Sequence, residues 1–370
     1  DEAHRIKRGS SGRRWNACLE LSLVSKRIDL LTGTPMPQSY EDLRNLLAIP
    51  WKAVPRGKLT DKALSQLIPG GLFVRTTKSE LKLPEPNYFP INIEMGPIQK
   101  QIYSAVTSHY SGLLALDSQD QVTLRKKGRA VMTVLAAATN PALIRKDSKD
   151  ALLGDLSWPP KELEIETDLV EALSSYMTHE LPPKYAWVTR FVARTTNQGK
   201  KVLIWSSFVG NLVLLKTVLN EFQPAIIHGA VESHQRESEL DRFRNDPKCK
   251  VLLTNPQTLG EGISLHETTH DAVFLDRTYN AAQYLQALDR IHRLGLPPEA
   301  ETNFYLLQSK GTLDQRVHAR LSAKIMTLGE MLDDKGLVTL SLVDGDEPHD
   351  SVADMGLDAI DLADILGHLG

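Results

Sequence analysis

From Lys184 onward, short apolar runs alternate with stretches whose apolar residues recur at helical spacing. The runs are Lys201-Val-Leu-Ile-Trp205, Pro224-Ala-Ile-Ile-His228, Lys250-Val-Leu-Leu-Thr254, Asp271-Ala-Val-Phe-Leu275 and Thr302-Asn-Phe-Tyr-Leu-Leu307. Between them the spacing predicts helices over 185–195, 210–221, 235–244 and 281–294. Fully apolar strands separated by helices imply a parallel sheet covered on both faces, an α/β fold. No repeat of fixed short period runs through the chain.

Upstream the rhythm is less regular. Residues 15–24 and 40–47 read as helices, and Arg27-Ile-Asp-Leu-Leu31 as a short strand before the turn Thr32-Gly-Thr-Pro-Met-Pro37. A strand at 88–93 leads into helices over 97–116 and 122–138, the second carrying Arg125-Lys-Lys-Gly-Arg129. Trp158-Pro-Pro160 and Leu181-Pro-Pro183 mark an acidic connector. The expected organisation is residues 1–90, a helical region 91–150, a connector 151–183, the regular α/β part 184–332 and an acidic tail 333–370. Within the tail, 351–369 has apolar residues at helical spacing. It reads as a solvated end, with docking onto a basic cleft or a protein partner as alternatives.

With 370 residues, 41% of them hydrophobic, the chain has material for a buried core in about two or three units. No stretch approaches the roughly 18 apolar residues of a membrane-spanning helix. The opening Asp1-Glu2-Ala3-His4 has no start Met and no signal-peptide pattern. Two distant cysteines, Cys18 and Cys249, make neither a disulfide framework nor a four-cysteine zinc site. On this ground the cytoplasm is the expected compartment.

The net charge of −3 conceals opposed blocks. Residues 1–150 hold 23 Lys and Arg against 14 Asp and Glu, and 184–332 hold 18 against 15. The connector has 1 against 7 and the tail 1 against 10. A basic body suits a polyanion such as DNA, although charge blocks also serve simply as solvated surface.

Asp1-Glu2-Ala3-His4 places two carboxylates side by side, able to divide Mg²⁺ binding from activation of an attacking water in nucleotide hydrolysis. Near the other end, Gln286-Ala-Leu-Asp-Arg-Ile-His-Arg-Leu-Gly295 puts Gln286, Arg290 and Arg293 on neighbouring turns of the predicted helix. Arginines there could stabilise a transferred phosphoryl group, an effect of about 10³–10⁵ in rate, or about 4–7 kcal/mol. The alternative is an exposed helix face with ordinary Asp–Arg pairing.

Taken in order, these motifs resemble those of the Swi/Snf-type ATPases of helicase superfamily two. Asp1–His4 resembles motif II and Leu31-Thr-Gly-Thr-Pro35 motif III. Phe73-Val-Arg-Thr-Thr-Lys78 and Asn140-Pro-Ala-Leu143 resemble landmarks of the helical insertion, and 201–208 motif IV. His228-Gly229 with Arg236 and Phe243 resembles the stretch that follows, 253–265 motif V, and 286–295 motif VI. The likeness runs over residues 1–330 and implies RecA-like parallel sheets covered by helices. It implies one complete C-terminal lobe, a partial N-terminal lobe with a helical insertion, and ATP, Mg²⁺ and double-stranded DNA as ligands.

Carried over by position, Asp1 would serve Mg²⁺, Glu2 would be the general base, and His4 would couple the site to its neighbours. Thr32 and Thr34 would relay between nucleotide and DNA, and Gln286 would face the nucleotide. Gly260 and Gly262 would let backbone approach phosphate closely, and Arg290 and Arg293 would be arginine fingers. Ser206, Ser207 and Thr254 would contact the DNA backbone, with Arg125, Lys126 and Lys127 a basic face beside it.

The sequence departs from the family at three places. The phosphate-binding Gly-x-x-x-x-Gly-Lys-Ser/Thr loop, which lies upstream of motif II in the family, is absent, since neither Gly57-Lys58 nor Gly199-Lys200 has the pattern. The expected explanation is a piece of a longer protein, inactive alone. The alternative is a non-catalytic DNA-binding or regulatory module. Tyr279 stands where the family has Trp, and motif V opens Thr254-Asn-Pro-Gln257 instead of Ser/Thr-x-Ala-Gly.

One competing motif is His266-Glu267-Thr-Thr-His270, the H-E-x-x-H pattern of zinc proteases. It needs a helix of several turns, whereas Thr268 and Thr269 are β-branched and the strand at Asp271 follows at once. A loop is the expected structure, without a zinc site. Trp51, Trp158, Trp187 and Trp205 are expected to pack in cores or hinges.

Overall fold

The computed structural model describes residues 3–6, 9–32, 40–51, 58–67, 80–81, 83–114, 121–144, 173, 176–259 and 263–331, with 361, 364, 365 and 368. Two compact units divide the chain: residues 1–83, 281–289 and 321–347 form one, and residues 84–280, 290–320 and 348–370 the other.

In the first unit, helix α1 (Arg13–Val24) buries Trp15, whose indole N–H donates to the Asn45 carbonyl at 2.8 Å. Helix α2 (Tyr40–Leu47) contributes Leu43, Leu46 and Leu47, at the spacing that brings them to one face. Ala3, Ile6, Trp15, Leu46 and Ile49 make the core, with Ile28 and Leu30 packed against it. Helix α3 (Asp61–Leu67) is joined to α2 by Arg44, which donates to Leu59 O at 2.7 Å and pairs with Asp61. The strand predicted over 27–31 does not form. The segment runs irregularly, because a strand needs a ladder and the backbone bond made there is Ala3 N to Leu31 O, 2.9 Å. Among the described residues of this unit there is no strand, so the sheet expected of a partial N-terminal lobe is not seen.

The second unit holds one six-stranded, all-parallel sheet, in the order β1-β6-β5-β2-β4-β3. Its strands are β1 (Asn87–Ile93), β2 (Val202–Trp205), β3 (Ala225–Ile227), β4 (Val251–Thr254), β5 (Asp271–Phe274) and β6 (Asn303–Ser309). Every residue of β2, β4 and β5 is buried, which is why they read as unbroken apolar runs. Val202, Ile204, Val251, Leu253 and Val273 alternate onto one face. Against it packs helix α6 (Pro183–Asn197) through Tyr185, Val188, Phe191 and Val192, an i, i+3, i+6, i+7 stripe. Trp187 stacks on Phe191 at 5.0 Å, and Trp205 is fully buried, so both serve packing.

Helices α4 (Pro97–Leu114) and α5 (Gln121–Thr139), from the predicted helical region, belong to this unit together with β1. Glu180 accepts from Ile98 N and Gln99 N at 3.0 and 3.1 Å, satisfying two orphan donors at the start of α4. Gln99 Nε2 reaches Ala137 O and Ala138 O, tying α4 to the end of α5. Helices α7 (Val209–Val218) and α8 (Ser233–Asn245) separate β2, β3 and β4. Helix α9 (Ala281–Leu288) lies in the first unit, and α10 (Leu313–Met331) begins in the second with Leu313 and Val317 buried. The four described residues of the acidic tail are not simply solvated. Asp361, Asp364, Ile365 and His368 are helical, Asp361 is fully buried against Arg320 at 2.7 Å, and Asp364 pairs with Arg316 at 3.4 Å. Two arginines neutralise two carboxylates there, and apolar Ile365 is buried beside them.

One charge buried in the second unit is Lys184, 1% exposed. Its ammonium donates to Asp314 Oδ2 at 2.6 Å, Leu275 O at 2.8 Å and Thr139 Oγ1 at 3.3 Å. Asp314 Oδ2 also accepts Ser309 N at 2.9 Å. Five elements, α5, α6, α10, β5 and β6, therefore meet at one buried ion pair. Lys184→Met strands Asp314 without its counter-charge, and urea denaturation is expected to show a loss of about 3–5 kcal/mol. Adding Asp314→Asn should recover part of that loss.

Candidate functional site

In a parallel α/β sheet, ligands bind beyond the carboxyl ends of the strands, where neighbouring connections leave in opposite directions. Here that point lies between β2 and β5, since the chain leaves β2 toward β3 and leaves β5 toward β6 on the other side. Ser206 and Ser207 follow β2, Thr254 and Asn255 end β4, and Asp276 follows β5.

Asp276 occupies the switch point. Its carboxylate accepts from Ser207 N at 2.6 Å, from Asn211 Nδ2 at 3.1 Å and from the Ser206 hydroxyl. The network continues from Asn211 Oδ1 to the Tyr185 hydroxyl at 2.7 Å, and from Tyr185 to Asn140 at 3.1 Å. Burial pushes the Asp276 carboxyl up to about 6, against the opposing pull of Ser206, Lys184 and Ser207. Ser206 is fully buried with its hydroxyl committed to Asp276, whereas Ser207 is half-buried on the rim. Next to them, Thr254 Oγ1 and Asn255 Oδ1 are buried with no hydrogen-bond partner. Such orphaned atoms are rare and call for an explanation, a ligand among them.

The arginine-bearing segment corrects the predicted helix over 281–294. Helix α9 ends at Leu288, and Arg290 and Arg293 lie in the turns that follow, so the shared face with Gln286 is lost. The Arg290 carbonyl, which a continuing helix would give to Leu294, accepts from Leu265 N at 2.9 Å instead. Arg290 Nη1 donates to Ile263 O at 3.2 Å. The result is a motif VI loop pinned to the tail of motif V. Gly295 adopts φ +106°, a conformation that favours glycine.

His266–Thr268 form a turn rather than a helix, and the His270 ring bonds His266 O at 2.7 Å, so the two imidazoles share no helix face. Thr32 is half-buried, Gln286 half-buried on α9, Lys126 exposed and Lys127 buried on α5. Asp1, Glu2, Thr34, Gly260 and Gly262, with the side chains of His4 and Arg125, lie outside the described residues. Sequence reasoning missed Asp276, Asn211, Tyr185 and the Lys184–Asp314 pair. Asp276 had a signal: a lone carboxylate directly after the buried run 271–275 stands at a strand's carboxyl end.

Residues 183–295 match the family model of the helicase conserved C-terminal domain. The CHD3-type chromatin-remodeling factor CHR7 of Arabidopsis thaliana is 28% identical over 337 residues, covering 86% of this chain and 25% of that protein. The chromodomain-helicase-DNA-binding protein 1-like of Mus musculus is 24% identical over 355 residues, covering 90% and 36%. These likenesses support a C-terminal portion of the Swi/Snf, superfamily-two kind. The chain also resembles the Sulfolobus solfataricus SWI2/SNF2 ATPase core in complex with dsDNA, at 18% identity, 99% of this chain, 71% of that one and a TM-score of 0.49. It spans between 18% and 25% of the length of four curated relatives. The relatives also correct the compartment: they are named as chromatin-remodeling factors, which associate with chromatin, and the cytoplasmic expectation is withdrawn.

Asp276 makes the stability of the second unit depend on pH. Its folded value of about 6 lies above the ordinary 3.8, so its contribution to stability falls as pH rises through that window. His318, pushed down to about 4 by burial and Arg277, acts oppositely, costing stability as pH falls below its ordinary 6.5. The two trends offset in the parent, so variants must separate them. The stability of Asp276→Asn minus that of the parent should rise between pH 4 and 7 by on the order of 3 kcal/mol. Urea titrations at four pH values check this; a flat difference would rule out Asp276 as the titrating group.

Proposed function

We propose that this chain is part of an ATP-dependent, double-stranded-DNA translocase or remodeller, in which ATP hydrolysis drives movement along duplex DNA. The observation that carries the reading is the pinning of the Arg290–Gly295 loop to residues 263–265 through Leu265 N and the Arg290 guanidinium. That arrangement holds two arginines on a short tether beside motif V, as a site that senses a polyphosphate requires.

ATP with Mg²⁺ supplies the leaving group and the charge that is neutralised during phosphoryl transfer. In this reading Arg290 and Arg293 hold charge on the transferred phosphoryl, Asp1 binds Mg²⁺ through water, and Glu2 takes the proton of the attacking water. His4, Gln286 and Thr34 orient the nucleotide, while Gly260 and Gly262 admit phosphate against backbone. The cationic loop fits such ligands. Duplex DNA meets the small donors Thr32 and Ser207, with Arg125 and Lys126 as a basic face; Thr254 and Lys127, expected at the DNA from the sequence, are buried and stand behind that surface. Ser206 takes part through Asp276 and the Ser207 amide. These contacts carry no sequence information, in keeping with movement on any DNA.

A second reading is a non-catalytic DNA-binding or regulatory module. ATP turnover separates the two. The 370-residue chain alone is expected to show no DNA-stimulated hydrolysis, and the full-length protein to show it. In the full-length protein, Arg293→Ala should cut turnover by roughly 10³–10⁵ while leaving the melting curve unchanged. Unaltered turnover in this variant removes Arg293 from the site. Duplex affinity, measured by fluorescence anisotropy from 50 to 200 mM salt, should fall along a log–log slope of about −0.9 per phosphate neutralised.

A further inference from the structure

The structure assigns His266 as a positioning residue for the arginine-bearing loop. The inference rests on the proposed function for the identity of that loop, but its geometry is independent. Residues 263–266 grip the loop at two points. At its start, Leu265 N donates to Arg290 O at 2.9 Å and Arg290 Nη1 donates to Ile263 O at 3.2 Å. At its end, the His266 ring lies directly against Gly295: a Cβ added there would sit 2.7 Å from Nε2, and the next ring atoms 3.6 Å away.

The ring itself is fixed. Its Nδ1 shares a 2.5 Å hydrogen bond with Ser264 Oγ, and the His266 carbonyl accepts from the His270 ring at 2.7 Å. Ser264 O in turn accepts from Arg244 Nη2 of α8 at 2.8 Å. Between the two grips the His292 ring bonds Pro84 O at 2.8 Å. Arg293 is therefore carried on a loop restrained on either side, and His266 supplies the restraint nearest its carboxyl end. Glycine at 295 satisfies two demands at once, the φ of +106° and the absent side chain whose space the imidazole fills. The H-E-x-x-H pattern thus acquires a use that needs no metal: His266 is a wedge and His270 a brace for its backbone.

Removing the ring frees the Gly295 end while the Arg290 end remains held. An arginine displaced by about 1 Å loses transition-state stabilisation by up to about 100-fold without losing ground-state binding. The test compares the full-length parent with His266→Ala, His266→Asn and His266→Gln. Asn keeps the bond to Ser264 but stops short of Gly295, whereas Gln reaches Gly295. Two quantities are read: amide exchange over residues 289–296 by mass spectrometry, and kcat and KM for ATP with saturating duplex DNA.

In Ala and Asn, exchange over 289–296 should accelerate and kcat should fall about 10- to 100-fold with KM unchanged. Gln should restore both. If Ala does not fold, the contrast of Asn with Gln decides the matter. Exchange at the parent's rate in Asn, or faster exchange with unchanged kcat, overturns the assignment. A full-length parent that hydrolyses no ATP refutes the proposed function instead, and the exchange data still judge the wedge.

Discussion

An ammonium group cannot lie in a protein interior unless its charge and its three donors are met, and Lys184 meets both demands with Asp314, Leu275 O and Thr139. Each partner comes from a different element: α10, the end of β5 and the end of α5. Ser309, at the end of β6, joins through Asp314 and also donates to Ala138 O at 2.5 Å. The carboxyl ends of two central strands and the ends of two helices are thereby locked to one point. The Asp276 network lies on the same rim, where Lys184 contributes to its electrostatics. The rim that positions Ser207 is consequently built of buried polar bonds.

That network bears on function because the rest of the site is made of loops. Ser207 presents its amide to Asp276 and is itself half-buried. The arginine loop takes its geometry from motif V backbone rather than from helical periodicity. Loops on a rigid parallel sheet are a common way to hold a site whose parts must answer to a bound polyphosphate. The acidic tail adds a second paired surface, since Asp361 and Asp364 neutralise Arg320 and Arg316 and bury Ile365 beside them.

Much of this was legible from residue order. Strands β2 to β6 stood out because each is buried on both faces and so unbroken in apolar character, and α6 because its stripe of Tyr185, Val188, Phe191 and Val192 faces the sheet. Motif order carried the resemblance to the Swi/Snf-type ATPases. Two local readings failed because pairing at a distance, lacking in one and present in the other, decided against local pattern. Residues 27–31 had strand character but no ladder, and the helix over 281–294 stopped at Leu288, with the Arg290 carbonyl engaged by Leu265, twenty-five positions upstream.

By itself, the sequence determined the alternation of apolar strands with helices, the order of the motifs and the residue types available for phosphate and DNA. Those properties follow from neighbours in the chain, at periods of two and 3.6. Tertiary structure alone decided that β1 pairs with β6 across 216 positions, that Lys184 and Asp276 lie buried, and that His266 meets Gly295. A lysine or an aspartate reads as exposed until its partners are known, and those partners are brought together only by the fold.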